Sequence, residues 1–186
     1  IDRTEASEIR LSLALEEADR LERLLKEILM YAKPQKLQLQ PIEVNQLIAE
    51  MLESLRIMPA AMQRHLEFYP LSTHAKVIGD KDKLKQIIIN LVRNACEAVS
   101  VEETVKIQLE NNVEEQVSIH ICNGGEPIPP EVLPKLTQPF YSTKSSGTGL
   151  GLAIVKRIVE SHNGELLIKS SPEVGTTISV KLPISS

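Results

Sequence analysis

The sequence predicts an α+β chain, a two-layer α/β sandwich preceded by one long N-terminal helix. Three observations carry this prediction. Residues 1–33 contain no Gly or Pro, and Leu11, Ala14, Ala18, Leu21, Leu25, Ile28 and Ala32 recur in steps of three and four, the spacing of a single helical seam. Further on, VKIQLEN, QVSIHIC, GELLIKSS and TTISVKLP alternate apolar and polar residues as half-buried strands do. Between these lie DKLKQIIINLVRNACEA and LGLAIVKRIVESH, whose apolar periodicity is helical and suited to covering one face of a mostly antiparallel sheet.

The elements follow in order. Around the N-terminal seam stand Glu16, Glu17, Arg20, Glu22 and Arg23. An amphipathic helix packed on its own domain explains that pattern, and so does a dimerising bundle helix; the seam's length and charged flanks favour the bundle. KPQKLQLQP, bounded by Pro34 and Pro41, reads as an extended linker over 34–41. A second unit, 42–186, opens with a helical pattern from Ile42 to Leu55, and HLEFYPL and KVIG then read as strands. Asp80 stands at the N-cap position of a helix running from Lys81 to about Val99. A polar turn around Glu114 makes a hairpin of the next two strands, and residues 124–148 form a lid-like stretch. The last helix stops at Asn163-Gly164, before the final strand pair.

Composition narrows the function. A net charge of −4 lacks the basic face of a nucleic-acid module, and 3% aromatic content without Trp leaves no base-stacking platform. No apolar run approaches the roughly 20 residues of a membrane span. Cys96 and Cys122 lie far apart without clustered partners, which reads as reduced, packed thiols of a cytoplasmic protein rather than a zinc site. The chain opens on Ile1 rather than Met, as a fragment or processed product would.

Three boxes carry chemistry. In the first, Gln86, Asn90, Asn94 and Glu97 fall at steps of four, four and three, on one helical face. Asn is a poor interior helix residue, so two on one stripe suit a need for amide oxygens, which bind a hard cation such as Mg²⁺. A solvated polar face explains the stripe equally well on its own. In the second, Gly147, Gly149 and Gly151 alternate before a helix, where free N–H groups and the dipole favour phosphate. No Gly-Lys-Ser/Thr follows, so it is not a P-loop, and no parallel strand leads into it as a dinucleotide fold requires. Lys144 adds a cation just upstream. The third box is Gly175-Thr176 at the start of the last strand, which alone says only turn then strand.

In this order and spacing the boxes resemble the ATP-binding domain of sensor histidine kinases, within the wider family shared with gyrase, the Hsp90 chaperone and mismatch-repair ATPases. NLVRNACEA resembles the N box, NGGEPIPP the first glycine box, PFYSTK the F box, GTGLGL the second glycine box and GTT the third. LEEADRLERLLKEILMYAKP resembles the second helix of the dimerisation and phosphotransfer domain. The N box ending in Ala and the short lid resemble the nitrogen-regulator subgroup most. The resemblance implies a Bergerat-type ATP-binding fold over 42–186 and an incomplete dimerisation helix over 1–33. It implies ATP and Mg²⁺ as cofactors, with Asn90 and Asn94 holding the metal against the phosphates. Gly147, Thr148, Gly149, Leu150 and Gly151 would cradle those phosphates, helped by Lys144. Asn123, with Gly125 and Thr176, would meet adenine, while Phe140 and Tyr141 would anchor the lid hinge. Asn123 and Gly124 replace the usual Asp and Asn of the first glycine box, and Pro127 its second Gly. The partners implied are a response-regulator receiver domain and a second copy through the bundle helix, with no nucleic acid and no membrane contact by these residues. A membrane anchor elsewhere in the complete protein stays compatible with this reading.

Two features discriminate among family members. ATP-hydrolysing members carry a Glu four residues before the metal-binding Asn to activate water; here that position is Asn90, which cannot act as a general base. The phosphoacceptor His of the kinases is followed by an acidic residue. The histidines here precede Leu66, Ala75, Ile121 and Asn163, and none fits. His162 reads as a helix cap. Ser7-Glu8-Ile9-Arg10 resembles a His-Glu-Ile-Arg box with Ser in place of His, but it lies only 27 positions before Pro34, too close to the end of the second helix. The acceptor helix is therefore expected to precede this chain. An anti-sigma-factor type serine kinase and a degenerate, non-catalytic ATP-binding module stay open as alternatives.

Overall fold

A computed structural model describes residues 3–32, 36–111, 115–144 and 147–185. Pro34, the polar turn around Glu114, residues 145 and 146 of the second glycine box and the side chain of Arg23 lie outside the described set. The elements are α1 (Arg3–Ala32), β1 (Gln40–Glu43), α2 (Val44–Arg56), β2 (His65–Tyr69), β3 (Lys76–Gly79), α3 (Lys81–Glu97), β4 (Thr104–Asn111), β5 (Gln116–Asn123), α4 (Gly151–Ser161), β6 (Glu165–Ser171) and β7 (Gly175–Pro183). Short 3₁₀ turns occupy Pro59–Ala61 and Leu133–Lys135.

The expected sandwich forms, with one refinement at its entrance. Residues 40–43 are neither linker nor helix: β1 pairs antiparallel with β3, with Ile42 opposite Val77. The helix waits until Val44 because Glu43 caps it, its carboxylate accepting from the N–H groups of Asn45 and Gln46. The main sheet has the order β2-β4-β5-β7-β6, with β2 and β4 parallel and the other pairs antiparallel. Its register aligns Phe68, Ile107, Ile121, Ile178 and Ile168 in one row across all five strands. Alternation puts that row on the covered face, where α2 contributes Leu47 and Leu55, α3 Leu84, Ile87 and Leu91, and α4 Ile154 and Ile158 to one core. The opposite face is polar, and there His120 Nδ1 meets Ser179 Oγ at 2.7 Å.

Asp80 sets where α3 begins. Its carboxylate accepts from the N–H groups of Asp82 and Lys83 at 3.1 Å and of Gln38 at 2.9 Å. Its own N–H donates to His162 Nε2 at 3.0 Å, while His162 Nδ1 donates to the Ile158 carbonyl at 2.8 Å. His162 thus caps the end of α4, as expected, and also ties it to the start of α3. The turn after α4 is made by Asn163 at φ 55°, ahead of Gly164.

Helix α1 uses two faces differently. Leu24 and Tyr31 pack against the core, and Arg157 of α4 donates to the Tyr31 carbonyl and sits 5.5 Å from its ring centroid. The seam residues Leu11, Leu21 and Leu25 remain more than half exposed. The packing face therefore runs through 24 and 31, leaving the seam open to a further helix. No described helix is long and apolar enough to cross a membrane. Cys96 and Cys122 are free thiols, and burial pushes the Cys96 thiol up from its ordinary value.

Burial alone would push the Asp80 carboxyl up, but the donors from Gln38, Lys83 and Asp82, aided by the Lys83 charge, outweigh it and hold the group below its ordinary value. A depressed folded-state pKa contributes stability that is complete above the unfolded value of about 3.9 and is lost as pH falls through the lower folded value. Asp80→Ala is expected to lower unfolding stability by about 1–2 kcal/mol near neutrality. In urea titrations this gap from the wild type should close as pH drops below about 4.

Candidate functional site

A cavity of about 550 Å³ opens between α3, the start of α4, the end of β5 and the described parts of the connecting segment, 124–144 and 147–148. Among the expected residues, Asn94, Asn123, Tyr141, Lys144, Gly147, Thr148, Gly149, Gly151 and Thr176 line it. Each is delivered by a local rule. Asn94 continues the stripe of Leu84, Ile87 and Leu91 by a further step of three, so it stands on the inward face of α3 where that face passes from the core to the cavity. Strand register sets Asn123 opposite Thr176, both buried, with Thr176 Oγ1 bonded to Ser170 Oγ at 2.8 Å. Asn123 Nδ2 donates to the Gly124 carbonyl at 2.6 Å.

The start of α4 differs from the other core helices. Carboxylates cap α2 and α3, whereas no side chain caps α4 among the described residues. An uncapped helix start bordering a cavity leaves backbone donors for an anion. Gly149 makes this approach possible: at φ 70°, a Cβ there would lie 2.5 Å from the Phe140 carbonyl carbon. Its carbonyl accepts the Phe140 N–H at 3.0 Å, tying Phe140 to the start of α4. Gly125 meets a similar limit at φ 84°, since a Cβ would reach 2.3 Å from the Ala98 carbonyl oxygen.

Several expected residues sit elsewhere than on the cavity wall. Gly125, Leu150, Asn90 and Phe140 are not among the lining residues. Leu150 is fully buried beneath α4. Asn90 is buried and its Oδ1 accepts from Arg93 Nη2 at 2.9 Å, so it touches the cavity through Arg93. Phe140 is 63% exposed, and its backbone, at φ 66°, makes the contact with Gly149. The polar stripe of α3 also divides: Gln86 meets Met30 of α1, whereas Asn94 and Glu97 face the cavity.

Three lining residues that form ion pairs were not expected at the site. Glu97, on the polar stripe of α3, pairs with Lys144 at 2.6 Å, each side chain 40% exposed. Arg93 lies beside Asn94 on α3 and could have been flagged as a cation next to the amide stripe. Glu27 comes from α1, 121 positions before the Thr148 whose hydroxyl donates to it, and no local signal points there.

Residues 79–186 match the family described as histidine kinase-, DNA gyrase B-, and HSP90-like ATPase. The chain belongs to that family. Among curated relatives, the sensor histidine kinase ZraS of Salmonella typhimurium strain LT2 is 33% identical over 168 residues, 90% of this chain and 36% of its own length. Sporulation kinase A of Bacillus subtilis strain 168 is 33% identical over 182 residues, 96% of this chain and 30% of its own length. The chain thus spans about a third of the length of these relatives. Among solved structures, histidine kinase ThkA in complex with the response regulator protein TrrA aligns over 100% of this chain and 53% of its own, with 30% identity and a TM-score of 0.79.

Gly149→Ala is expected to cost about 1–3 kcal/mol of backbone strain. Its effect should be greatest on the Phe140–Tyr141 segment, read as loss of slow amide exchange at Phe140 while the sheet amides keep their protection.

Proposed function

We propose that this chain is the ATP-binding catalytic core of a two-component sensor histidine kinase, which transfers the ATP γ-phosphoryl group to a His on a bundle helix for relay to a response-regulator Asp. The observation that carries this is the cavity itself, walled on one side by the amide-bearing face of α3 and on the other by the uncapped, glycine-led start of α4. It lies in a chain of the histidine kinase, gyrase and Hsp90 family.

In this reading the chain binds and orients ATP, and ATP supplies the transferable phosphoryl group. Asn123, supported by Gly125 and Thr176, faces adenine; its neutral oxygen accepts a hydrogen bond without charge assistance. The backbone of 147–151 and Lys144 take the phosphates. Neutral amide oxygens suit Mg²⁺, with Asn94 on the wall and Asn90 reaching the site once Arg93 releases its oxygen. Phosphoryl transfer depends chiefly on such positioning and charge neutralisation. Asn90, lacking general-base chemistry, favours transfer to a protein nucleophile over hydrolysis. The exposed seam of α1 suits a bundle with a second copy, and the free thiols suit a cytoplasmic setting.

The test is labelled Mg-ATP mixed with the chain and a separate fragment carrying the first bundle helix of the same kinase. Acid-labile label is expected on the fragment and not on the chain. Phosphohistidine on the chain alone, or steady hydrolysis without the fragment, overturns this reading. Label on a Ser of an anti-anti-sigma protein, or no transfer despite binding, favours the serine-kinase or the degenerate reading respectively. Calorimetry should further show Asn123→Asp tightening ATP roughly fivefold, the difference between a neutral and a charged hydrogen bond.

A further inference from the structure

We propose that Arg93 is a further phosphate-recognition residue and that Glu27 of α1 is the group it exchanges for phosphate, so that α1 docking and triphosphate binding oppose each other. This rests on the reading of the cavity as an ATP site.

The carboxylate of Glu27 is 12% exposed, on a helix whose nearby residues Leu21 and Leu25 stand open to solvent. A carboxylate so withdrawn from water requires polar partners, and both of its partners belong to the cavity wall. Thr148, in the glycine-rich segment, donates its hydroxyl to Glu27 Oε2, and Arg93 Nη2 lies 3.9 Å from Glu27 Oε1. Arg93 stands beside the start of α4: a Cβ built on Gly151 would lie 3.7 Å from Arg93 Nη2. The guanidinium is therefore next to the uncapped helix start, with an acidic side chain supplied from α1 as its counter-ion. Lys144, the other cation of the wall, is satisfied by Glu97 of α3.

A guanidinium takes phosphate by the same forked geometry with which it takes carboxylate, and phosphate carries the greater charge. A triphosphate seated at the α4 start would compete with Glu27 for Arg93 and for Thr148, and the two anions would repel. Arg93 then turns to phosphate, Asn90 is freed from its Arg93 bond, and Glu27 loses both partners. Because Arg157 still holds the Tyr31 carbonyl one turn further on, α1 stays tethered and pivots rather than leaving. Coupling of this kind is reciprocal: whatever pulls Glu27 away from Arg93 strengthens nucleotide binding by the same factor.

Glu27→Gln keeps an acceptor for Thr148 and removes only the charge, so the fold is expected to survive, as circular dichroism and the urea midpoint would verify. Calorimetric titrations of the whole chain with ATP, ADP and adenosine, in Mg²⁺ buffer, then test the exchange. Glu27→Gln should tighten ATP about tenfold, tighten ADP less, and leave adenosine unchanged. Arg93→Gln should weaken ATP by a similar factor, and adding Glu27→Gln to it should change little further. Unchanged ATP affinity in Glu27→Gln, equal tightening of adenosine, or strictly additive effects in the double variant would each overturn the proposal while leaving the ATP site intact. Failure of the wild-type chain to bind any of the three would instead remove the ATP reading on which it rests.

Discussion

The geometry of the cavity depends on one capped junction, where the Asp80 carboxylate closes the first turn of α3 and the Asp80 N–H meets His162 at the end of α4. The two helices that wall the cavity, already packed in one core, are thereby also tied end to start by a hydrogen bond. The same carboxylate holds the N–H of Gln38, so the segment arriving from α1 is fixed at that point too. Shifting this cap would turn Asn94 and Glu97 relative to Gly151, and a site made of short polar contacts tolerates little of that.

Around this junction the sheet supplies flatness and the helices supply chemistry. The row from Phe68 to Ile168 gives α3 and α4 a continuous apolar bed. Asn123 and Thr176 extend the same face past the end of that bed, which is why polar groups appear exactly where the strands run out of core. Two carboxylates then serve as caps on buried helix starts and two others, Glu27 and Glu97, as counter-ions to the cations of the cavity. The uncapped α4 is the exception, and it leaves backbone donors at the edge of the cavity.

Much of this was legible in the sequence because the signals were local. Asp80 before an amphipathic run, the alternating strands and the final Asn-Gly stop all act within a few residues, and the structure places those elements accordingly. The β1 strand was missed because Gln40–Glu43 is an edge pairing whose partner, β3, lies about 36 residues on; the helical period of the residues after it absorbed Ile42. Lining residues on the glycine-rich segment and on the amide stripe could be named from spacing. Their electrostatic partners could not. Lys144 meets Glu97 across 47 positions and Thr148 meets Glu27 across 121, and only tertiary packing sets such pairs. The bond from the Phe140 N–H to the Gly149 carbonyl is likewise a product of tertiary packing.

The parallel pairing of β2 with β4 has a mechanical consequence. Parallel neighbours need a long crossover between them, and here that crossover contains β3 and α3. The wall carrying Asn94 is therefore joined to a strand at both of its chain ends, β3 of the two-stranded sheet and β4 of the main one. The facing wall, residues 124–144 and 147–148, contains no strand among its described residues. Segments outside strands generally open at lower free energy than helices built into a core. An opening of the cavity is thus expected on that side, opposite the wall that carries Asn94.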